Sequence, residues 1–355
     1  MLNLRPLLFS LLSITLISIA HAASMSVSYP AQPGPGRGRH IVFLTGDEEY
    51  RGEEGLPMLA KILSQRHGFR CTVLFALDAD GTINPDNNAS ISAPETLDSA
   101  DGIVMALRFR QWPDEPMRHF ASAIARGVPI IALRTSTHAF RFPESSASSY
   151  KAFNHFGRQV LGEDWVSHWG ANRRGATRGV IEPGAEADAI LRGVTEIFGD
   201  SGVYETHPVV DAKILVRGQV LAGMKPTDGP DTIQRKKRKS DGIEQGINDP
   251  MMPIAWTRVN STDSGKTNRV FCTTMGAATD LANEGLRRMV INAVLWGFDI
   301  EIPNQTDVRF VDDFAPAPYA FKGYRRGITP DDHALGRVLR ASALITPTTN
   351  STPKK

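Results

Sequence analysis

Short apolar runs alternate along this chain with longer stretches in which apolar side chains recur every three or four positions. Residues 41–44 (IVFL) are apolar throughout and end at Thr45-Gly46. A run without alternation is buried on both faces, which is how a central parallel strand reads. Leu56, Leu59, Ala60 and Leu63 follow at i, i+3, i+4 and i+7, with Pro57 placed for a first turn and Gly68 placed past the end. That spacing predicts a helix. Residues 71–77 and 102–107 read as the second and third strands. A second helix carries Met117, Phe120, Ala121 and Ile124, with Asp114 as its expected N-cap and Gly127 beyond its end, and 128–133 is the fourth strand. Strand, helix, strand, repeated over short connections, predicts an α/β fold with a doubly wound, mostly parallel sheet and helices on both faces.

The middle of the chain is less regular. Residues 149–161 are predicted helical, 178–181 a short strand and 213–221 a strand or hairpin arm. The polar stretch 227–249 contains the basic run Arg235-Lys236-Lys237-Arg238-Lys239, which reads either as a solvated loop or as a contact for an acidic polymer. Residues 254–259 and 269–274 are two more strands. The last helix carries Leu286, Met289, Val290, Ala293 and Val294 and stops near Gly297. There is no internal repeat. Beyond Pro303 the chain is extended and Pro-rich, and 342–355 reads as a disordered tail.

At the other end, Arg5 precedes an uncharged apolar run at 7–20, and Ala20-His21-Ala22 supplies small residues around a cleavage site. The run falls short of the ~20 residues of a membrane span, so 1–22 is expected to be a cleaved signal peptide. A Pro- and Gly-rich linker is expected at 23–38, the folded domain at 39–302 and a C-terminal extension with its tail at 303–355. The expected location is secreted or periplasmic, with no stable membrane anchor after cleavage.

Composition narrows the function. With 41% hydrophobic and 22% charged residues, the chain is neither disordered throughout nor a multi-span membrane protein. Lys and Arg number 40 against 38 Asp and Glu, so no general cationic field points to nucleic acid as a partner. Two cysteines make neither a disulfide scaffold nor a four-cysteine zinc site. Cys71 and Cys272 fall in predicted strands and read as small buried hydrophobes, with a disulfide between them as the alternative. Gly34, Gly36 and Gly38 precede the first strand, where a dinucleotide turn must follow it. Ser264-Gly265-Lys266-Thr267 has Asn260 where a P-loop needs glycine.

Ligands of an open parallel sheet bind beyond the carboxyl ends of its strands. The first strand is followed by Asp47-Glu48-Glu49-Tyr50-Arg51, then Glu53 and Glu54 at a helix N-terminus that favours anions. Three crowded carboxylates are costly unless paired with cations or used to raise a carboxyl pKa. Glu48 or Glu49 is the candidate acid/base, assisted in proton transfer by His138 and His207. The candidate substrate-binding residues are Tyr50, Arg51, Arg108, Arg134, His168 and Trp169, with Tyr50 or Trp169 as the stacking face. Each histidine reads equally well as a loop residue. The turn after the fourth strand, Arg134-Thr135-Ser136-Thr137-His138, has no cysteine and no Gly-x-Ser-x-Gly, so acyl transfer is weakly supported. No HExxH-type spacing occurs, and neither a metal nor a cofactor is expected.

The stretches HIVFLTGDEEYRGEE, ALRTSTHAF, ETHPV, MPIAWTR and NRVFCTTMGAATDLANEGLRRMVINAVLWG, in this order within 39–302, resemble the ThuA-like (trehalose-utilisation) family. That family is similar to the class I glutamine amidotransferase-like superfamily. The signal peptide and the MGAATDLANEGLRR ending resemble its secreted, planctomycete-type branch. The resemblance implies a flavodoxin-like winding, a link to disaccharide and keto-sugar metabolism and a small-molecule saccharide as partner. It places the family's EYR-x-EE segment on Glu49, Tyr50, Arg51, Glu53 and Glu54, its turn histidine on His138 and its histidine before proline on His207. The superfamily's nucleophilic cysteine is absent, and Gly276-Ala277 stands where many members carry Gly-His. The resulting expectation is a secreted protein acting on a carbohydrate by acid/base chemistry. Its alternative is a non-catalytic saccharide-binding protein on the same scaffold.

Overall fold

The computed structural model describes residues 24–339, so the expected signal peptide at 1–22 and the tail from 342 lie outside the described residues. The first half contains β1 (Ser26–Tyr29), β2 (His40–Gly46), α1 (Gly52–His67), β3 (Arg70–Leu74), β4 (Gly102–Leu107), α2 (Asp114–Ala125) and β5 (Ile130–Leu133). Then follow β6 (Ser167–His168), β7 (Thr177–Ile181), β8 (Ile197–Gly199), β9 (Tyr204–Glu205) and β10 (Lys213–Val220). The last elements are β11 (Arg235–Lys237), β12 (Glu244–Gly246), β13 (Met252–Ser261), β14 (Thr267–Thr273) and α3 (Glu284–Gly297).

The architecture is α/β around one mixed ten-stranded sheet, ordered β1-β3-β2-β4-β5-β14-β13-β10-β7-β8. It is parallel from β3 to β14, the half foreseen from the strand–helix–strand pattern. Beyond β14 it is antiparallel, because β13 and β14 form a hairpin and β10, β7 and β8 add to it. Every residue of β2 is buried. Its alternate side chains serve two cores: Ile41 and Phe43 pack with α1 and α3, whereas Val42 and Leu44 pack with α2. The α-helices are few, and β5 is followed only by a 3-10 turn at Arg134–His138. None of the described helices is long and apolar enough to cross a membrane.

Several sequence expectations change in detail. Residues 26–29, within the expected linker, are an edge strand, since Val27 and Tyr29 are buried and β3 otherwise presents an unpaired edge. Pro113 takes the N-cap position of α2, and the Asp114 carboxylate instead accepts hydrogen bonds from Ser148 and Ser149. Residues 149–161 form a 3-10 turn (Lys151–His155) and a single π turn (Gly157–Leu161). Gly157 is pressed so close to the Thr137 carbonyl that a Cβ would lie 2.1 Å from its oxygen. Cys71 and Cys272 are free and buried. They lie four strands apart, about 19 Å at ~4.8 Å per strand, beyond the reach of a disulfide.

The extension from 303 is extended, as expected, but it is packed onto the domain. Ile302 and Val308 join the α1/α3 core, Lys61 Nζ donates to Asp312 (2.5 Å), and Tyr29 donates to the His333 carbonyl (2.7 Å). The segment 317–321 then crosses the carboxyl end of β2.

Candidate functional site

The order of the parallel strands reverses at β2, whose next strand β3 lies on one side and β4 on the other. The crevice beyond β2 and β4 is therefore where an α/β sheet offers its ligand site. Three non-glycine residues adopt left-handed backbone at these strand ends: Arg51 (φ 60°), Phe109 (φ 50°) and Arg134 (φ 47°). Each such residue costs on the order of 1–3 kcal/mol and persists where the surroundings over-determine it.

The loop after β2 is organised by Asp47. Its Oδ1 accepts the N–H groups of Glu49 (2.7 Å) and Tyr50 (3.0 Å), and its Oδ2 accepts the Thr135 hydroxyl. Arg51 locks the loop from beneath. It is fully buried, and its guanidinium donates to the carbonyls of Glu48 (2.7 Å), Glu49 and Ala320 (2.6 Å) while facing Glu53 at 3.4 Å. The substrate-binding role expected of Arg51 is therefore corrected, because none of this guanidinium faces a cleft.

The structure separates the two candidate acid/base residues. Glu48 is ion-paired with Arg108 and with Arg110 (3.1 Å), directly across the switch point. Arg110, absent from the sequence-based set, is buried and also donates to the carbonyls of Arg108, Pro85 and Asn87. Burial raises the Glu48 carboxyl above its ordinary value, against the two arginines. Among the described residues, Glu49 has no such ion pair. Burial and then the neighbouring Asp47 charge raise its carboxyl, while Arg108, Arg134 and the Tyr50 hydroxyl oppose the shift.

Arg134 and Tyr50 form the floor. The Arg134 guanidinium lies between the rings of Tyr50 (4.3 Å) and Tyr204 (4.0 Å). It donates to the carbonyls of Gly202 (2.8 Å) and Thr274 (2.6 Å) and to the Tyr50 hydroxyl (3.1 Å), which also accepts from Asn172 (2.8 Å). Tyr50 is 1% exposed and offers no stacking face.

His138 is half-buried among Phe109 (4.9 Å), Trp165 (5.0 Å) and Tyr204 (6.2 Å). Burial, then Arg108, Arg134 and His168, hold its pKa well below the usual imidazole range, so the ring is neutral at pH 7. His168 lies at 5.2 Å from Tyr204 and is pushed down to about 4, by burial first and then by Arg134 and Lys236. The His168 Nδ1 and the Trp165 Nε1 are buried polar atoms without a hydrogen-bond partner among the described residues.

Two expected members stand elsewhere. Trp169 is fully buried and donates from Nε1 to the Ile247 carbonyl (2.7 Å), so it is core. His207 turns to the β11–β12 hairpin, with its Nε2 at 3.1 Å from the Ser240 hydroxyl and 3.7 Å from Glu205. None of these contacts belongs to the carboxylate–arginine cluster. The basic run is partly drawn inward too, since Lys236 donates to the carbonyls of His168 (2.7 Å) and Trp169 (3.0 Å).

No family model and no curated protein matches the chain. Among solved structures it is similar to a putative ThuA-like protein from Bacteroides uniformis ATCC 8492, at 13% identity over 76% of this chain and 94% of that chain, with a TM-score of 0.41. A second, from Parabacteroides merdae ATCC 43184, matches at 12% identity over 73% and 89%, with a TM-score of 0.40. Both are ThuA-like proteins. A glutamine amidotransferase from Methylobacillus flagellatus matches at 12% identity over 52% and 63%, with a TM-score of 0.28. Likenesses at this level carry no functional argument, and the site rests on its own geometry.

At Ala277, where the resemblance puts histidine in many members, the structure packs Tyr50 and Tyr319 against the small side chain. Tyr319 lies at 5.2 Å from the Tyr50 ring and donates to the Asp200 carbonyl (3.0 Å). Ala320 donates to the Glu49 carbonyl (2.9 Å). Among the described residues, no group of three or more His, Cys, Asp or Glu side chains is arranged to hold a metal ion.

Glu53, behind the site, yields a stability prediction. Neither of its carboxylate oxygens accepts a hydrogen bond among the described residues, and burial pushes its pKa to about 7, against the Arg51 charge. The folded state then holds a proton that the unfolded chain has released above pH 4.5. Stability is thus lost as pH rises through the window from 4.5 to about 7. Glu163 and Asp200, also near 7, act in the same direction. Thermal melts at pH 5 and pH 8 should show a smaller loss for Glu53→Gln than for the wild type. Equal losses would remove Glu53 from this account.

Proposed function

We propose that this protein acts on a carbohydrate, a disaccharide or keto-sugar, by acid/base chemistry outside the cytoplasm, on a flavodoxin-like winding. The observation that carries the reading is that Arg108 and Arg134, at the ends of β4 and β5, act electrostatically on both a carboxyl raised by burial, Glu49, and a neutral imidazole, His138, while Arg108 is also ion-paired with Glu48. Glu49 serves as the acid/base group, because Glu48 is held by two arginines. His138, uncharged at neutral pH, can donate a hydrogen bond from one ring nitrogen and accept a proton at the other. Arg108 and Glu48 present donors and acceptors to sugar hydroxyls. Positioned acid/base groups of this kind contribute about 10²–10⁴-fold in rate.

A second reading, saccharide binding without turnover, is favoured by one feature. The segment 319–320 covers Tyr50 and Ala277 and is bonded to the loop that carries Glu49. Incubation with trehalose, sucrose, cellobiose and their 3-keto derivatives, followed by melting curves and product analysis, separates the two. Product formation supports the first reading, and stabilisation without product supports the second. If no sugar is converted and none shifts the melting temperature of the folded protein, both fail.

A further inference from the structure

The two aromatic residues expected to stack on a sugar, Tyr50 and Trp169, are both buried. One aromatic ring near the cluster stands mostly in solvent. Phe321 is 54% exposed and, among the described residues, is the only Phe, Tyr or Trp that stands mostly in solvent. It belongs to the C-terminal extension, which sequence patterning placed outside the folded domain.

The chain leading into it is held in place. Ala320, the preceding residue, donates its N–H to the Glu49 carbonyl (2.9 Å) and accepts from Arg51 at its own carbonyl (2.6 Å). Tyr319 is held by its ring contact with Tyr50 and by Arg173, which donates to its carbonyl (2.6 Å). The Phe321 ring itself lies against the Arg108 guanidinium (5.1 Å), whose contact with Phe109 is at 4.5 Å. Arg108 in turn is ion-paired with Glu48. A solvent-facing ring is thus set beside a fixed carboxylate–guanidinium pair, one residue from a backbone bonded to Glu49.

A pyranose with equatorial hydroxyls has two kinds of surface, an apolar C–H face and a rim of donors and acceptors. A flat ring answers the first and a carboxylate–guanidinium pair the second, and sites for small molecules combine apolar walls with a few placed polar groups in this way. We propose that Phe321 is the platform against which the C–H face of a pyranoside packs, so that the C-terminal extension supplies part of the binding site. The inference rests on the carbohydrate reading above and assigns it a substrate class, pyranosides with one unbroken C–H face.

The test is calorimetric titration of the full chain with methyl β-D-glucopyranoside, beside erythritol, which carries hydroxyls without a ring. Phe321→Ala and Phe321→Leu should each weaken binding of the glucoside by about tenfold, equivalent to roughly 1.4 kcal/mol. Phe321→Trp should bind like the wild type, and erythritol should distinguish none of them. Leucine preserves apolar contact with Arg108 but has no flat face, so wild-type affinity in Phe321→Leu would overturn the proposal. Phe321→Trp binding as weakly as Phe321→Ala would overturn it too. Glucoside binding that is indifferent to all three substitutions removes the platform and leaves the carbohydrate reading standing. If the wild type binds no methyl β-D-glucopyranoside, the platform falls; the carbohydrate reading falls with it only if trehalose, sucrose, cellobiose and their 3-keto derivatives also neither react nor shift the melting temperature.

Discussion

Glu49→Gln is expected to lower turnover by about 10²–10⁴-fold, the range a positioned acid/base group contributes, while leaving the fold and saccharide affinity nearly intact. The amide keeps the size of the carboxyl and removes only its proton chemistry. Glu48→Gln should behave differently, because it breaks an ion pair with Arg108 and Arg110 and so weakens binding before chemistry. The pH profile adds a second signature. Burial and Asp47 hold the Glu49 carboxyl above its ordinary 4.5, so the acid limb of kcat/KM should lie above that value and vanish in Glu49→Gln. His138 is held far below the usual imidazole range and should contribute no inflection near 6.5. Steady-state rates between pH 4 and 9 check both points. An unchanged profile in Glu49→Gln would move the chemistry to another group.

Arg134→Leu should carry the largest stability cost. The guanidinium satisfies the buried carbonyls of Gly202 and Thr274 and fills the gap between two tyrosine rings. Leucine leaves both carbonyls unpaired, at about 1–3 kcal/mol each. Removing a buried cation that has no carboxylate in ion-pair contact among the described residues offsets part of that, so a net loss of about 3 kcal/mol is expected. For a chain of this size the melting temperature should fall by roughly 4 °C. Arg134→Lys keeps the charge but not the planar fork, and should recover only part of the loss. A melting temperature for Arg134→Leu within about 2 °C of the wild type would show that the carbonyls find other donors.

The parallel half of the fold was legible because its signals are local. The uninterrupted IVFL run and the three-and-four spacing around Leu56 and Leu286 each state their own burial. The antiparallel half depends on which distant strand covers which edge, and nothing local to 177–181 or 213–220 specifies that pairing. The extension was missed for a related reason. Its Pro-rich sequence has no period, yet Val308, Tyr319 and His333 are buried, anchored one by one instead of as a helix or strand.

The acidic crowd after β2 was visible in the sequence and lies at the strand ends where the sheet order reverses, but the division of labour within it was hidden. Asp47 became a backbone organiser because two N–H groups turn onto it, and Arg51 was drawn inward by its left-handed conformation. At β6 the difficulty was orientation. β6 ends at His168, which reaches the aromatic cluster, while Trp169, just past the strand, enters the core. Trp165, with the same chemistry, lines the site. Arg110 and Tyr204 had no distinguishing signal in the sequence.

The central claim is that residues distant in the chain share one saccharide site above β2, β4 and β5. It is tested most directly by nitrogen-15 NMR of the histidine rings during titration with whichever disaccharide most stabilises the protein. The account predicts that the His138 resonances move on binding, with His168 following, and that those of His207 stay in place. Movement of His207 alone, or saturable binding that leaves His138 untouched, would contradict it.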